Sequence, residues 1–386
     1  MTRRPFSLTS RYADSAGSAG RQGPRKGRPP RWTQSQHALT DTIRVVGTGV
    51  RHSSQVVRLS CISNVQHMPN PTVTVVIPAY RVADVIAEAL ESVFAQTFRD
   101  FGVVLINDGC PDTINLEKAL EPYLGRITYI KQVNQGQAAA RNAGIRATES
   151  PFVAFLDGDD VWEPEYLEAH LDALQKDERL DVVYPNAVYF GDSPLAGRLF
   201  MDVLPSEGEV TVLSLITGKC HVFIGATVRR GAIERAGGFD PDPAVRSVED
   251  MDLWLRLAAG GARFAYHRRP LVRYRQRSGS QSDDRTRILR ALICVLRKLS
   301  ASSSSDELKQ QIDREVEKLA AHIKAFEGKS ALYRGEFKTA RSLLGEANKV
   351  LRQRRIGVAC FLLRVTPGVL HSYIHRRHAT ERSFLL

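Results

Sequence analysis

Three carboxylates crowd into the four residues Asp157-Gly158-Asp159-Asp160, directly after the apolar run FVAFL. Like charges at the end of a buried strand repel one another, and a divalent cation relieves them. Mg²⁺ and Mn²⁺ take oxygen ligands and share them with phosphates. An acidic turn is the plain alternative, because Asp favours turns and caps. Asp108 ends a second apolar run, GVVLIND, where it can accept from a nucleobase N–H or cap a turn. Pro78, Ala79 and Tyr80 leave a third run, TVTVVIP, and offer backbone groups and an aromatic surface, or merely a strand exit. Arg141 lies one turn inside NQGQAAARNAGI, a Gly-led helix start. That suits an anion near a helix N-terminus, or an ordinary solvated helix face. Glu249-Asp250 precede MDLWLRL. The pair can complement the helix dipole, or supply a general base for a hydroxyl. Arg273, Arg275 and Arg277 alternate along one segment, either as a clamp for a diphosphate or as a basic edge strand.

The elements that must carry these residues alternate in type. Strands are expected at 72–78, 102–108, 127–132 and 151–160, and helices at 84–96 and 165–176. Alternating strands and helices predict a parallel, doubly wound sheet covered on both faces. Ligands of such sheets bind beyond the carboxyl ends of the strands, where Asp108 and the Asp157 cluster fall. Residues 205–284 are less regular, and 285 onward is strongly helical. Its ALYRGEFKTARSLLGEA resembles half of a tetratricopeptide repeat, a weak signal when single. The last part, RIGVACFLLRVTPGVLHSYIHRR, is apolar with basic flanks. It is too short to span a bilayer, and either lies on one or packs against the domain.

Charge divides the 386 residues into three parts, although the formal total is +12. Residues 1–67 hold 11 Lys/Arg against 2 Asp/Glu, and 285–386 hold 21 against 9. The middle, 68–284, is left with a net of −9. A nucleic-acid partner is excluded for the core, because phosphate contacts need a basic face. The stretch 1–67, rich in Ser, Arg, Gly and Pro, is expected to be a disordered basic extension or to precede the true start at Met68. No apolar h-region marks it as a secretory signal. Five scattered cysteines without a CxxC argue for a reducing compartment and against a zinc site.

Taken in order, TVVIPAY, SVFAQTFRDF, VLINDGCPD, NQGQAAARNAGI, FVAFLDGDD, GGFD, VEDMDLWLRL and YRQRSGSQS resemble the family 2 glycosyltransferases of the GT-A fold over residues 72–284. The resemblance implies an α/β domain at 68–284 with a mostly parallel sheet and helices on both faces, followed by a helical C-terminal extension, 285–386. It implies an inverting, hexosyltransferase-type enzyme of polysaccharide or glycoconjugate synthesis. The donor is then a nucleotide-diphosphate sugar, and the acceptor is a carbohydrate or is lipid-linked. Carried over, the nucleotide-sugar contacts fall on Pro78, Ala79, Tyr80, Asp108, Arg141, Asp157 and Arg277. The DXD motif falls on Asp157 and Asp159, which hold Mn²⁺ or Mg²⁺, Asp159 directly. The base falls on Asp250, with Glu249 placing the acceptor. The family often carries YRxHxxSxS, and here Arg277 stands where His is usual, which puts in doubt any role assigned to that His.

A nucleotide-sugar-binding scaffold acting through its helical tail is the alternative, but a scaffold has no need of Asp250. A nucleotidyltransferase would carry a Gly-rich basic loop after the first strand, and Ala79-Tyr80-Arg81-Val82 is not one. The expected location is cytoplasmic, with peripheral contact to the inner membrane face through the C-terminal region.

Overall fold

The apolar runs become strands and the amphipathic runs helices, in the order the periodicity predicts. The computed structural model describes residues 70–277 and 284–378, with side chains through 372. The expectations for 1–67 and for Ser278–Ser282 lie outside the described residues. The chain runs β1 (Val73–Ala79), α1 (Ile86–Phe94), β2 (Phe101–Asp108), α2 (Thr113–Leu120), β3 (Thr128–Gln132), α3 (Gln137–Arg146), β4 (Phe152–Phe155), β5 (Val161–Trp162) and α4 (Tyr166–Lys176). It continues with β6 (Val182–Gly191), α5 (Phe200–Val203), α6 (Val212–Ile216), β7 (Thr227–Arg229), α7 (Arg230–Ala236), α8 (Glu249–Ala259) and β8 (Phe264–Gln276). Then come α9 (Arg285–Ser302), α10 (Asp306–Tyr333), α11 (Phe337–Leu351), α12 (Arg354–Val365) and α13 (Pro367–His378).

The sheet order is β3-β2-β1-β4-β7-β6-β8-β5. Its first four strands are parallel, so the carboxyl ends of β1, β2 and β4 share one edge. From β7 onward the sheet is mixed: β7 is antiparallel to both β4 and β6, and β5 is antiparallel to β8. The strands β6 and β8 are parallel, with their register shifted around Asn186. Alternation along β1 explains the layering. Val73, Val75 and Ile77 enter one core with α1, α2 and α4, and Val76 enters the other with α3, α7, α8 and α9. Helices therefore cover both faces, as the doubly wound reading requires.

Two packing details fix the helices that bear the site. At Gly144 in α3, a Cβ would lie 2.4 Å from Val76 Cγ1, so only glycine lets this helix settle on the sheet. The helix α8 buries Leu253, Trp254 and Leu257, and truncating such a Trp to Ala typically costs ~3–5 kcal/mol. Residues of α9 (Ala291, Val295, Leu296, Leu299) and Ile312 of α10 join this same core. The packing thus runs across the charge break at 284–285. The rest of α10 and α11–α13 share a separate, smaller cluster built on Ala325, Leu332, Leu344, Ile356 and Leu363. The repeat-like stretch is the α10–α11 hairpin, whose turn lies at Arg334–Glu336.

Candidate active site

The exits of β1 and β4 touch. A Cβ on Gly158 would stand 3.1 Å from the Pro78 carbonyl oxygen, a tight contact where the acidic loop passes β1. Pro78 and Ala79 are buried, and Tyr80 is half-buried with the Arg81 guanidinium 5.3 Å from its ring centroid. Arg81 adopts the left-handed region (φ 58°), and its N–H donates to Cys110 Sγ at 3.2 Å. A non-glycine residue held there stores strain of order 1–3 kcal/mol, a feature common at functional sites.

The three clustered carboxylates have different surroundings. Asp157 Oδ1 accepts from Arg141 Nη2 at 2.7 Å. Asp160 is buried, and its Oδ1 accepts from the Arg275 N–H at 2.8 Å. Burial, and then the charges of Asp159 and Asp157, push the Asp160 carboxyl well above the usual carboxylate range. Asp159 forms no ion pair within 4.0 Å among the described residues. Burial and the neighbouring Asp157 charge raise its carboxyl to about 6. A half-buried carboxylate with no cationic partner, made costly to ionise, is a chemical fit for one protein ligand of a divalent cation that takes its other oxygens from a diphosphate and water. No three His, Cys, Asp or Glu side chains converge into a ready metal cage among the described residues.

Arg141 is the residue whose setting the sequence least reveals. A helix-face arginine is expected to be solvated, yet this side chain is 2% exposed. Its guanidinium spans the two acidic motifs, donating through Nη2 to Asp157 and through Nη1 to Glu249 Oε1 at 3.1 Å. It also lies 5.4 Å from the centroid of Phe239. One residue on, Asn142 clamps the GGFD loop with its amide: Nδ2 donates to the Phe239 carbonyl at 2.7 Å, and Oδ1 accepts from the Phe239 N–H at 2.9 Å. The helix α3 therefore ties the acidic loop after β4 to the loop before α8. Buried ion pairs of this kind cost desolvation, and they hold geometry only while both partners are present.

The acidic pair at the start of α8 is positioned by local backbone. Ser247 is left-handed (φ 78°), and its N–H donates to Glu249 Oε2 at 2.7 Å. Glu249 thus uses both oxygens inside the protein. Asp250 is half-buried, and its Oδ1 accepts from the Met251 N–H at 2.8 Å. Burial, and then the charge of Glu249, lift the Asp250 carboxyl to about 6. A carboxylate of that basicity suits proton abstraction near neutral pH.

Asp108 takes the turn-capping role, but on a turn distant in sequence rather than the one that follows it. Its Oδ1 accepts from Gln132 Nε2 at 2.8 Å and the Gln135 N–H at 2.9 Å, and its Oδ2 accepts from the Gly136 N–H at 2.8 Å. Asn134 Nδ2 donates to the Asp108 carbonyl at 2.9 Å. The residue staples the turn that starts α3, and so holds Arg141 indirectly. The basic segment is also more committed than a free clamp. Arg275 Nε donates to the Asp159 carbonyl at 2.7 Å and its Nη2 pairs with Glu88. Arg277, one-third exposed, pairs with Asp84 at 2.6 Å. Both arginines add positive charge beside Asp159. A cleft of about 470 Å³ is lined by Arg246, Arg287 and Cys294.

The comparisons with known proteins agree with this geometry. Residues 74–233 match glycosyl transferase family 2. The succinoglycan biosynthesis protein ExoW of Rhizobium meliloti is 46% identical over 113 residues, 28% of this chain and 34% of that protein. The chain spans about half or less of the length of the curated relatives it matches first, which are glycosyltransferases uncharacterised themselves. Among solved structures, S. aureus TarS 1–349 in complex with UDP-GlcNAc superposes with a TM-score of 0.53 at 15% identity, covering 81% of this chain and 94% of that one. The mannosyltransferase PcManGT from Pyrobaculum calidifontis, in complex with GDP-Man and Mn²⁺, gives 0.51 at 18% identity, covering 79% and 88%. At such identities the structural likeness speaks for the fold, and the sequence match speaks for the family. Residues 74–233 of this chain match glycosyl transferase family 2, and the fold around them is GT-A-like with a helical C-terminal region.

Proposed function

We propose that the protein transfers a hexose from a nucleotide-diphosphate sugar to a hydroxyl of a carbohydrate or lipid-linked acceptor, with inversion, in polysaccharide or glycoconjugate synthesis. The observation that carries the reading is the Asp157–Arg141–Glu249 bridge, which sets the donor-side carboxylates and Asp250 in one rigid unit. The donor class is supported by the nucleotide sugars in the TarS and PcManGT complexes, and the pathway class by the likeness to ExoW.

Asp159 would hold Mn²⁺ or Mg²⁺, with Asp157 beside it. When bound, such a cation neutralises the diphosphate as it leaves. The chain's own residues do the rest. Pro78, Ala79 and Tyr80 line the nucleoside side of the sheet edge, and Arg277 adds positive charge near the diphosphate. Asp250 takes the proton from the acceptor hydroxyl, which attacks the anomeric carbon from the face opposite the diphosphate. The C–O bond to the diphosphate breaks as the new one forms, so one displacement inverts the centre. Glu249, fixed by Arg141 and the Ser247 N–H, keeps Asp250 ionised late and aimed at the acceptor. A panel of nucleotide sugars, read by nucleoside diphosphate release with and without Mn²⁺, tests the reading. Metal-dependent release from at least one donor supports it, and no release or binding with any donor removes it.

A further inference from the structure

The helix α12 carries its apolar residues on two opposite sides. Ile356 and Leu363 are buried in the small C-terminal core. On the other side, Val358 (58% exposed), Phe361 (64%) and Val365 (62%) face outward, and Val369 (69%) extends the patch onto α13. These make four of the nine large apolar side chains exposed among the described residues, gathered within 12 consecutive positions. At ~100° per residue, Val358, Phe361 and Val365 fall within ~60° of arc, and Arg355 and Arg364 flank the centre of that stripe at about a quarter-turn on either side. Arg354 is in line with the stripe at its start. All three arginines are exposed, and none forms an ion pair among the described residues. From 347 to 380 the chain holds seven Lys/Arg and no Asp or Glu.

We propose that this outer face of α12 and the start of α13 docks on an anionic lipid surface, with α12 lying parallel to the membrane plane. The chemistry of the face selects its occupant. A shallow apolar stripe with cations on both sides matches the acyl–headgroup boundary, where the stripe enters the hydrocarbon edge and the guanidiniums meet lipid phosphates. A second copy of this chain is disfavoured, because apposing two such faces brings arginines against arginines with no carboxylate between them. No described helix is long and apolar enough to cross a membrane, so the contact is peripheral for these residues. The proposal does not depend on the glycosyltransferase reading.

Co-sedimentation of the full chain with vesicles tests it. The two vesicle types are phosphatidylcholine alone and phosphatidylcholine mixed with phosphatidylglycerol. Wild type should sediment with the anionic vesicles and remain free of the neutral ones, and 1 M salt should release it by shortening the screening length. Phe361→Asp should lower partitioning roughly tenfold. Reversing Arg354, Arg355 and Arg364 to Glu should lower it by on the order of 100-fold or more. Both changes sit on exposed positions, so circular dichroism should report an unchanged fold. Ile114→Asp, at an exposed apolar residue of α2 far along the chain, should leave binding as in wild type. Equal sedimentation of wild type and Phe361→Asp, or no binding of wild type, overturns the proposal. So does a vesicle-free dimer that Phe361→Asp disperses, which assigns the face to a second copy.

Discussion

Replacing Arg141 with Met tests whether one buried cation holds the site together. The side chains of Arg141, Asp157 and Glu249 are 2%, 19% and 7% exposed, so Arg141→Met leaves two carboxylates facing each other with little water to screen them. Removing one partner of a buried pair typically costs ~3–5 kcal/mol. The partial exposure of Asp157 favours the lower half of that range. A chemical consequence follows from the same geometry. Arg141 is among the charges that hold the Asp250 carboxyl down, against burial and Glu249. Without it that carboxyl should rise above about 6, and the pH at which turnover reaches half its plateau should rise with it. Urea unfolding at pH 7 reads the stability loss, and a pH–rate profile reads the shift. The double variant Arg141→Met/Glu249→Gln should recover part of the stability, because it removes one stranded charge. Arg141→Lys should fall between, since an ammonium cannot fork to both carboxylates. A loss under ~1 kcal/mol with an unmoved pH profile would refute the idea of a strut.

Three further outcomes follow from the same residues. Asp159→Ala should sharply weaken Mn²⁺-dependent binding of nucleoside diphosphate by calorimetry while leaving the metal-free fold as stable or slightly more so, because it thins a crowd of like charges. Asp108→Ala frees the Gln135 and Gly136 N–H groups, of which Gly136 is half-buried, and should cost ~1–3 kcal/mol in thermal or urea unfolding while the Mn²⁺ requirement of any binding persists. For Asp250 the sign runs against ordinary carboxylates. Its folded pKa of about 6 exceeds the usual ~3.9, so ionising it erodes stability as pH climbs from ~4 to ~6. Asp250→Asn should therefore be more stable than wild type at pH 7 by ~1–3 kcal/mol and equal to it below pH ~4, a comparison that differential unfolding at the two pH values makes directly.

Much of the acidic edge of the site was legible because it is local. A strand that ends in acidic residues announces itself through apolar runs, and Asp157, Asp159 and Asp108 lie where those runs stop. The parallel order of β1, β2 and β4 then places their exits together without further information. What one sequence hides is pairing across distance. Arg141 and Glu249 are 108 residues apart, and Asn142 and Phe239 are 97 apart. Neither spacing has a period that marks it. Asp108 is instructive in the other direction: its position was readable, but its three internal donors come from the end of β3 and the turn after it, 24–28 residues later. The antiparallel turn of the sheet at β7 was likewise hidden. That strand is three residues long, too short for alternation to register. The signal that could have exposed Arg141 is its neighbourhood, since AAARNAG supplies only small residues around it and leaves room for a helix face to be buried.

The most direct test of the account is transfer by wild type against Asp250→Asn, using whichever nucleotide sugar the donor panel selects and a matched carbohydrate or lipid-linked acceptor, with Mn²⁺ present. The account predicts a product of inverted anomeric configuration from wild type. It predicts turnover lower by ~10²-fold or more in Asp250→Asn, with donor affinity by calorimetry unchanged, since the amide keeps the shape and loses only the proton acceptor. Turnover within a few-fold of wild type, or a product of retained configuration, would contradict it.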